Sequence, residues 1–78
     1  MITPLHRWPA GKPARVAELT APGLLRRRLL DLGFVPGAIV TVVRRAPWGD
    51  PTAYLVRGAV VALRREEAGF ILVGDLSP

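Results

Sequence analysis

Glycine and proline interrupt this chain so often that long elements of secondary structure are excluded. The 78 residues include eight of each, and the longest stretch free of both runs from Ala59 to Ala68. A transmembrane helix needs about 20 mostly apolar residues, and a coiled coil needs several uninterrupted heptads. The spacing therefore predicts short strands joined by turns, with one short helix and no membrane insertion.

The overall composition indicates one small folded domain that lies in the cytoplasm. Half of the residues are hydrophobic and 22% are charged, which disfavours intrinsic disorder. Cysteine is absent, so disulfide bonds, cysteine-ligated zinc and thiol catalysis are excluded. A domain without disulfides whose N-terminus lacks a signal-peptide pattern is expected in the cytoplasm.

The one convincing helix is predicted at about residues 22–32. Pro22 suits a first-turn position, because the N–H that proline lacks has no partner there in any helix. Gly33 suits a left-handed cap at the C-terminus. Leu25, Leu29 and Leu32 fall in one 60° stripe at about 100° per residue, so we expect this stripe to face the core.

The helix contains more leucine than one buried stripe requires. Leu24 and Leu30 both fall outside the stripe. Leu30 lies beside Arg26 and near Arg27, which point away from the core, so these three residues are candidates for binding a partner. The alternative is that a loop or the N-terminal segment covers Leu30.

The rest of the chain favours a mainly β fold. Ala38 to Arg45 is the strongest predicted strand, because five β-branched residues follow one another in it. Both of its faces are apolar, so we expect another element to cover the face turned away from the core. The other predicted strands are Arg15–Leu19, Thr52–Arg57, Ala59–Arg64 and Phe70–Val73. Five short strands predict a small closed barrel, because closure removes exposed sheet edges.

Two further surface features are expected from the strand pattern and from the loop between 46 and 51. Alternation in the strands leaves Leu55, Val60 and Leu72 on the outer face, where they are candidates for partner binding. Two prolines and a glycine stiffen the loop around Trp48, which makes that side chain a candidate exposed contact. Residues 1–11 are expected to be an irregular lead-in, with Trp8 docking on the core.

Catalytic and metal-binding patterns are absent from the sequence. One histidine and no cysteine exclude the usual nucleophilic sets, and no phosphate-binding glycine motif occurs. We therefore predict that the chain is not an enzyme. His6 and Asp50 could form half of a metal site, but we expect no complete site within one chain and no required cofactor. Binding of a transition metal, iron or adventitious zinc, is left open.

Net positive charge raises nucleic-acid binding as an alternative function. The formal charge is +5, and small barrels can bind single strands through basic grooves with stacking aromatic side chains. Only Trp48 is expected to offer such a stacking face. Nucleic acid is therefore a weaker prediction than a protein partner.

Two segments of the sequence resemble the ferrous iron transport protein A (FeoA) family. The first is RLLDLGFVPG over 28–37; the second is RAPWGDP over 45–51, followed by VRG over 56–58 and ALRREEA over 62–68. The resemblance covers about residues 12–74 and implies a single SH3-like β-barrel domain over 12–76. In the motifs, a structural role in turns is expected for Gly33, Pro36, Gly37, Pro47, Gly49, Asp50, Pro51 and Gly58, with Asp50 binding amides of its own turn.

The resemblance also implies a function and a partner. It predicts a bacterial cytosolic accessory or regulatory protein of ferrous iron uptake, which binds the cytosolic GTPase domain of the inner-membrane transporter FeoB. That partner would bring it to the inner face of the membrane. A weak homo-oligomer is left open. A further alternative is a stand-alone relative of the SH3-like domain of iron-dependent repressors.

Overall fold

Strand pairing organises the whole molecule. In the computed structural model, which describes residues 1–76, six strands form one antiparallel sheet in the order β1-β6-β2-β3-β4-β5. This confirms a mainly β fold with one inserted helix, and adds one strand to the five expected. The strands are β1 (Thr3–Pro4), β2 (Ala14–Leu19), β3 (Ile39–Arg45), β4 (Thr52–Val56), β5 (Ala59–Leu63) and β6 (Ile71–Gly74).

Alternate side chains of the strands enclose a single core. Tyr54, Val56 and Leu63 are buried, as the alternation predicts. They share one apolar cluster with side chains from the other long strands, so the sheet wraps round its own interior. The strand residues in this cluster are Ala14, Val16, Leu19, Val40, Val42, Tyr54, Val56, Leu63, Ile71 and Val73.

The helix α1 (Gly23–Leu32) ends where the sequence predicts and begins one residue later, because Pro22 caps the helix instead of lying in its first turn. Pro22 is extended and precedes the first turn, and Gly33 is left-handed with φ 111°. The Gly33 N–H donates to the Leu30 carbonyl at 3.0 Å, which satisfies an acceptor at the helix end. Leu29 is fully buried. A second helix, α2 (Arg65–Ala68), is a one-turn link between β5 and β6.

The N-terminal segment is ordered where an irregular lead-in was expected. Thr3 and Pro4 pair with Val73 and Leu72 of β6, and a 3₁₀ turn follows at Leu5–Arg7. Leu5 is fully buried, and Trp8 is buried as expected. This segment therefore completes one side of the core.

A hydrogen bond from the sheet also fastens this segment. The Arg45 guanidinium donates to the Trp8 carbonyl at 3.1 Å, and the Trp8 indole N–H donates to the Lys12 carbonyl at 2.8 Å. These bonds use polar groups that the buried segment would otherwise leave without partners.

Two features of the sheet differ from the sequence prediction. Among residues 1–76, no element covers the outer face of β3, and Ile39 and Val43 are therefore 48% and 50% exposed. Complete closure is also wrong: within residues 1–76, β5 pairs only with β4 and β1 pairs only with β6, so the barrel keeps two sheet edges.

Tight turns connect the elements. The Ala38 N–H donates to the Val35 carbonyl at 2.9 Å, and Gly37 has φ 93°. This is a type II turn with Pro36 and Gly37 at its central positions, which confirms the turn role expected of both residues. Between β4 and β5 the turn has two central residues rather than the single glycine expected, because Val56 pairs directly with Ala59.

Candidate functional site

The exposed apolar side chain on α1 is Leu24 rather than Leu30. Leu24 lies in the first turn and is 88% exposed. Leu30 is half-buried and packs against the core, because it lies in the last turn, where the chain returns through the buried Phe34. The expectation of an exposed anchor at Leu30 is therefore corrected.

The arginines of α1 have different environments. Arg26 donates to the Leu19 carbonyl at 3.2 Å, which ties the helix to the end of β2. Arg27 faces solvent, and within the described residues its one ion pair is an exposed contact with Asp31, with Nε and Oδ1 3.5 Å apart. Exposed pairs of this kind contribute little to stability. Of the two predicted partner-binding arginines, Arg27 is thus the more available.

Four apolar side chains of β3, β4 and β5 are exposed on the face of the sheet turned away from the core. We call this set the outer sheet patch. Leu55 and Val60, predicted to lie there, are 41% and 64% exposed and pair directly across the two strands. The patch consists of Ile39, Val43, Leu55 and Val60.

Leu72 does not belong to this patch. It lies on β6, where Pro4 on one side and Glu18 on the other are its paired neighbours. The added strand β1 leaves Leu72 half-buried, so the prediction that it is an exposed contact is corrected.

The loop between β3 and β4 presents Trp48 to solvent. Its side chain is 82% exposed, as the sequence predicts. The Gly49 N–H donates to the Ala46 carbonyl at 2.7 Å, and the Ala46 N–H donates to the Pro51 carbonyl at 3.0 Å. These bonds fix the backbone that carries the indole.

Asp50 joins this loop to α2. Its Oδ1 accepts a hydrogen bond from the Arg65 backbone N–H at 2.9 Å. We expected Asp50 to bind amides within its own turn; the structure shows a contact fifteen positions along the chain. Asp50 therefore has a structural role, but between two elements rather than within one.

The remaining motif residues lie in turns. Gly33, Gly37, Gly49 and Gly58 all have positive φ. Pro36, Pro47 and Pro51 occupy the turns that connect α1 to β3 and β3 to β4.

A pocket of about 260 Å³ lies between the N-terminal segment, the Trp48 loop and α2. Burial, and then the positive charges of Arg65 and Arg7, lower the pKa of His6, so its imidazole is neutral at pH 7. Burial raises the pKa of Tyr54, which keeps its phenol protonated. The lining residues are His6, Arg45, Gly49, Thr52, Tyr54 and Arg65.

This pocket is poorly suited to a metal cation. The positive charges of Arg45 and Arg65 repel a metal cation there. One carboxylate oxygen of the nearby Asp50 already accepts a hydrogen bond from the Arg65 N–H. Residues 1–76 contain no group of three or more histidine, cysteine, aspartate or glutamate side chains placed to hold a metal ion.

Sequence comparison identifies the family. The sequence profile of the FeoA domain matches residues 3–74. The chain belongs to the FeoA family. It is 41% identical over 76 residues to an Fe(2+) transport protein A/Fe(2+) transporter FeoB fusion protein of Porphyromonas gingivalis, a match that covers 97% of this chain and 9% of the fusion protein.

Solved FeoA structures have the same fold. Iron(II) transport protein A from Clostridium thermocellum superposes with a TM-score of 0.90 at 36% identity, covering 95% of this chain and 46% of that one. Stenotrophomonas maltophilia FeoA, crystallised with zinc and described as an SH3 domain protein, gives 0.81 at 33% identity, covering 95% and 89%. The SH3-like barrel and the link to ferrous iron transport are thereby confirmed for the family.

No helix in the described part of this FeoA chain is long and apolar enough to cross a membrane.

The sequence did not single out Leu24, Ile39 or Val43 as surface residues. The sequence does indicate that Leu24 is exposed, since it lies outside the helical core stripe. It gives no such indication for Ile39 and Val43, because an apolar strand is typical of either a covered or an open sheet face.

Proposed function

We propose that this FeoA chain is a cytoplasmic accessory domain of ferrous iron uptake that binds the GTPase-containing cytosolic region of the transporter FeoB. The observation that carries the proposal is the Porphyromonas gingivalis fusion, in which a homologous segment and FeoB form one polypeptide. Covalent linkage of two modules maintains a high effective concentration of each for the other. Where the two modules are not covalently joined, the same association depends on their own contacts.

The surface supports a binding role. Leu24, Trp48 and the outer sheet patch expose large apolar side chains on an 8.5 kDa domain, and exposed apolar patches often mark protein interfaces. Residues 1–76 contain no group of side chains placed to hold a metal ion, and the sequence has one histidine and no cysteine from which to build the usual nucleophilic sets. The binding proposed here requires no bound cofactor, with ferrous iron being the cargo of the transporter.

Calorimetric titration against the isolated cytosolic GTPase domain tests the proposal. The titration is run without nucleotide, with GDP and with a non-hydrolysable GTP analogue, and again in the presence of a metal chelator. We expect saturable binding in at least one nucleotide state that the chelator leaves unchanged. Failure to bind in all three states, together with failure to bind the full transporter in detergent, would refute the proposal.

A matched pair of helix variants locates the interface. Leu24→Asp changes an exposed residue, so the variant should fold normally and bind at least about tenfold more weakly. Leu30→Asp introduces a carboxylate beside the core, so circular dichroism should show a destabilised variant. Unchanged affinity in folded Leu24→Asp and Trp48→Ala variants would place the interface elsewhere.

A further inference from the structure

The free edge of β5 has backbone groups without partners. The turn at Arg57 and Gly58 has φ 49° and 82°, the geometry of a two-residue type I′ hairpin. In such a hairpin the closing pair, here Val56 and Ala59, is hydrogen-bonded, and bonded pairs then alternate along the ladder. The N–H and C=O groups of Val60 and Ala62 therefore point away from β4, and no other described backbone group bonds them.

This edge lacks the usual protection against strand addition. Sheet edges are normally blunted by charged side chains, proline or a bulge. β5 has the sequence AVVAL, and its pairing with β4 runs without a register shift from Thr52–Leu63 to Val56–Ala59. Val60 is 64% exposed. An unprotected edge of five residues is a template for one more strand.

A depression beside the edge could accommodate an apolar side chain. Ala53 and Ala62 pair across β4 and β5, and their small side chains leave space on the outer face. The depression has a volume of about 190 Å³ and is lined by Arg44, Ala46, Pro51, Thr52, Ala53 and Ala62. A strand added to β5 would place alternate side chains on this face, where one of them can reach over Ala62.

Charge selects the kind of strand that fits. Arg57 precedes β5, and Arg64 and Arg65 follow it. None of these three arginines forms an ion pair with a described acidic side chain within 4.0 Å. In a pair of antiparallel β5 strands aligned over their full length, Arg57 at the start of each copy would lie near Arg64 and Arg65 at the end of the other, and the repulsion of these like charges disfavours such a pair.

We propose that β5 binds an extended segment of a partner protein as a seventh strand, with acidic residues at both ends of the segment and large apolar residues between them. Backbone hydrogen bonds to Val60 and Ala62 would supply affinity, and the depression beside Ala62 would supply selectivity. The inference goes beyond the proposed function, because it holds for any partner with such a segment.

A synthetic peptide tests the edge without the transporter. The probe is the blocked peptide EEVTLTVEE, titrated into the full-length chain labelled with ¹⁵N. We expect the amide signals of Val60 and Ala62 to shift together and their hydrogen exchange to slow. A peptide of the same core with lysine at both ends places like charges beside the three arginines and should bind more weakly. A peptide N-methylated at alternate core residues loses backbone hydrogen bonds and should bind at least about tenfold more weakly.

A variant of the edge gives a second test. Val60→Pro removes an outward N–H that does not hydrogen-bond to β4. An edge strand tolerates proline at such a position. It should remain folded and lose at least about tenfold in peptide affinity, whereas Val60→Thr should bind normally. If the proline variant unfolds, the N-methylated peptide still provides the test.

Three results would overturn the proposal. The first is no shift at Val60 and Ala62 at millimolar peptide. The second is equal binding by the acidic, lysine-ended and N-methylated peptides. The third is a dimer in analytical ultracentrifugation that Val60→Pro converts to monomer, which would make a second copy the occupant.

Discussion

Truncation of Leu5 to alanine tests whether the N-terminal segment contributes to the stability of this domain. Leu5 is fully buried in the core, although it precedes the first long strand. A fully buried leucine truncated to alanine costs about 3–5 kcal/mol, from lost transfer free energy and the cavity left behind. A domain of this size has a total stability of about 4–12 kcal/mol. Leu5→Ala should therefore remove a large fraction of it.

Leu24 provides a control of identical chemistry. It is 88% exposed, so Leu24→Ala should change the free energy of unfolding by no more than about 0.5 kcal/mol. Urea unfolding followed by far-ultraviolet circular dichroism measures both variants. A loss of about 3 kcal/mol should also lower the Tm by about 12–24 °C in a domain of this size.

The comparison between the two leucines decides the outcome. Should Leu5→Ala cost no more than Leu24→Ala, the N-terminal segment would not be docked in solution, and the irregular lead-in expected from the sequence would be right. A change in the urea m-value without a change in midpoint would point to the denatured state instead.

Three further outcomes are expected. Gly33→Ala should lower the free energy of unfolding in urea by about 1–2 kcal/mol, because φ of Gly33 is 111°. The new Cβ would also lie 3.0 Å from Cδ of Arg57, but that side chain is flexible, so adding Arg57→Ala should recover only a small part of the lost stability. Burial and Arg65 lower the pKa of His6, so protonation opposes folding, and stability should fall as pH drops through about 6.5. His6→Gln should flatten that slope; an equally steep slope would exclude His6 as its origin. The Arg64 backbone amide, with Arg28, lowers the pKa of Glu67. Glu67→Gln should therefore destabilise the domain above pH 4.5, and the difference in stability from wild type should vanish as the pH falls below that value. A difference that does not change with pH would contradict this reasoning.

Local patterns were sufficient to predict α1 and the longer strands. Proline before the helix and glycine after it determine where α1 starts and stops. Alternation located Tyr54 and Val56 in the core, because one face of β4 must be buried and the other not.

Interactions between distant parts of the chain were not predictable in the same way. Thr3 and Pro4 have no strand pattern of their own, and they form a strand only because β6 offers an edge. Proline at a sheet edge costs no ladder hydrogen bond when its nitrogen faces away from the sheet. Leu30 likewise has a helical position outside the core stripe, and it is half-buried only because it packs against the core in the folded domain.

The features of the candidate surface also differ in whether local sequence predicts them. Trp48 was predictable because prolines and a glycine surround it within six residues. The contact from Asp50 to Arg65 was not, since the carboxylate could equally have bound its own turn. The open edge of β5 was hidden for a related reason: alternation shows that a strand exists but not whether it has one neighbour or two.

The position of β6 between β1 and β2 has a consequence for biosynthesis. Ribosomes make the chain from its N-terminus, and domains fold as units once their sequence has emerged. β1 and β2 are made first, yet both pair with Ile71–Gly74. β1 must therefore wait for β6 before it can acquire its native neighbour, whereas β2 can pair earlier with β3. Non-local pairing of this kind slows folding, and the six-stranded sheet is complete only after β6 has been made.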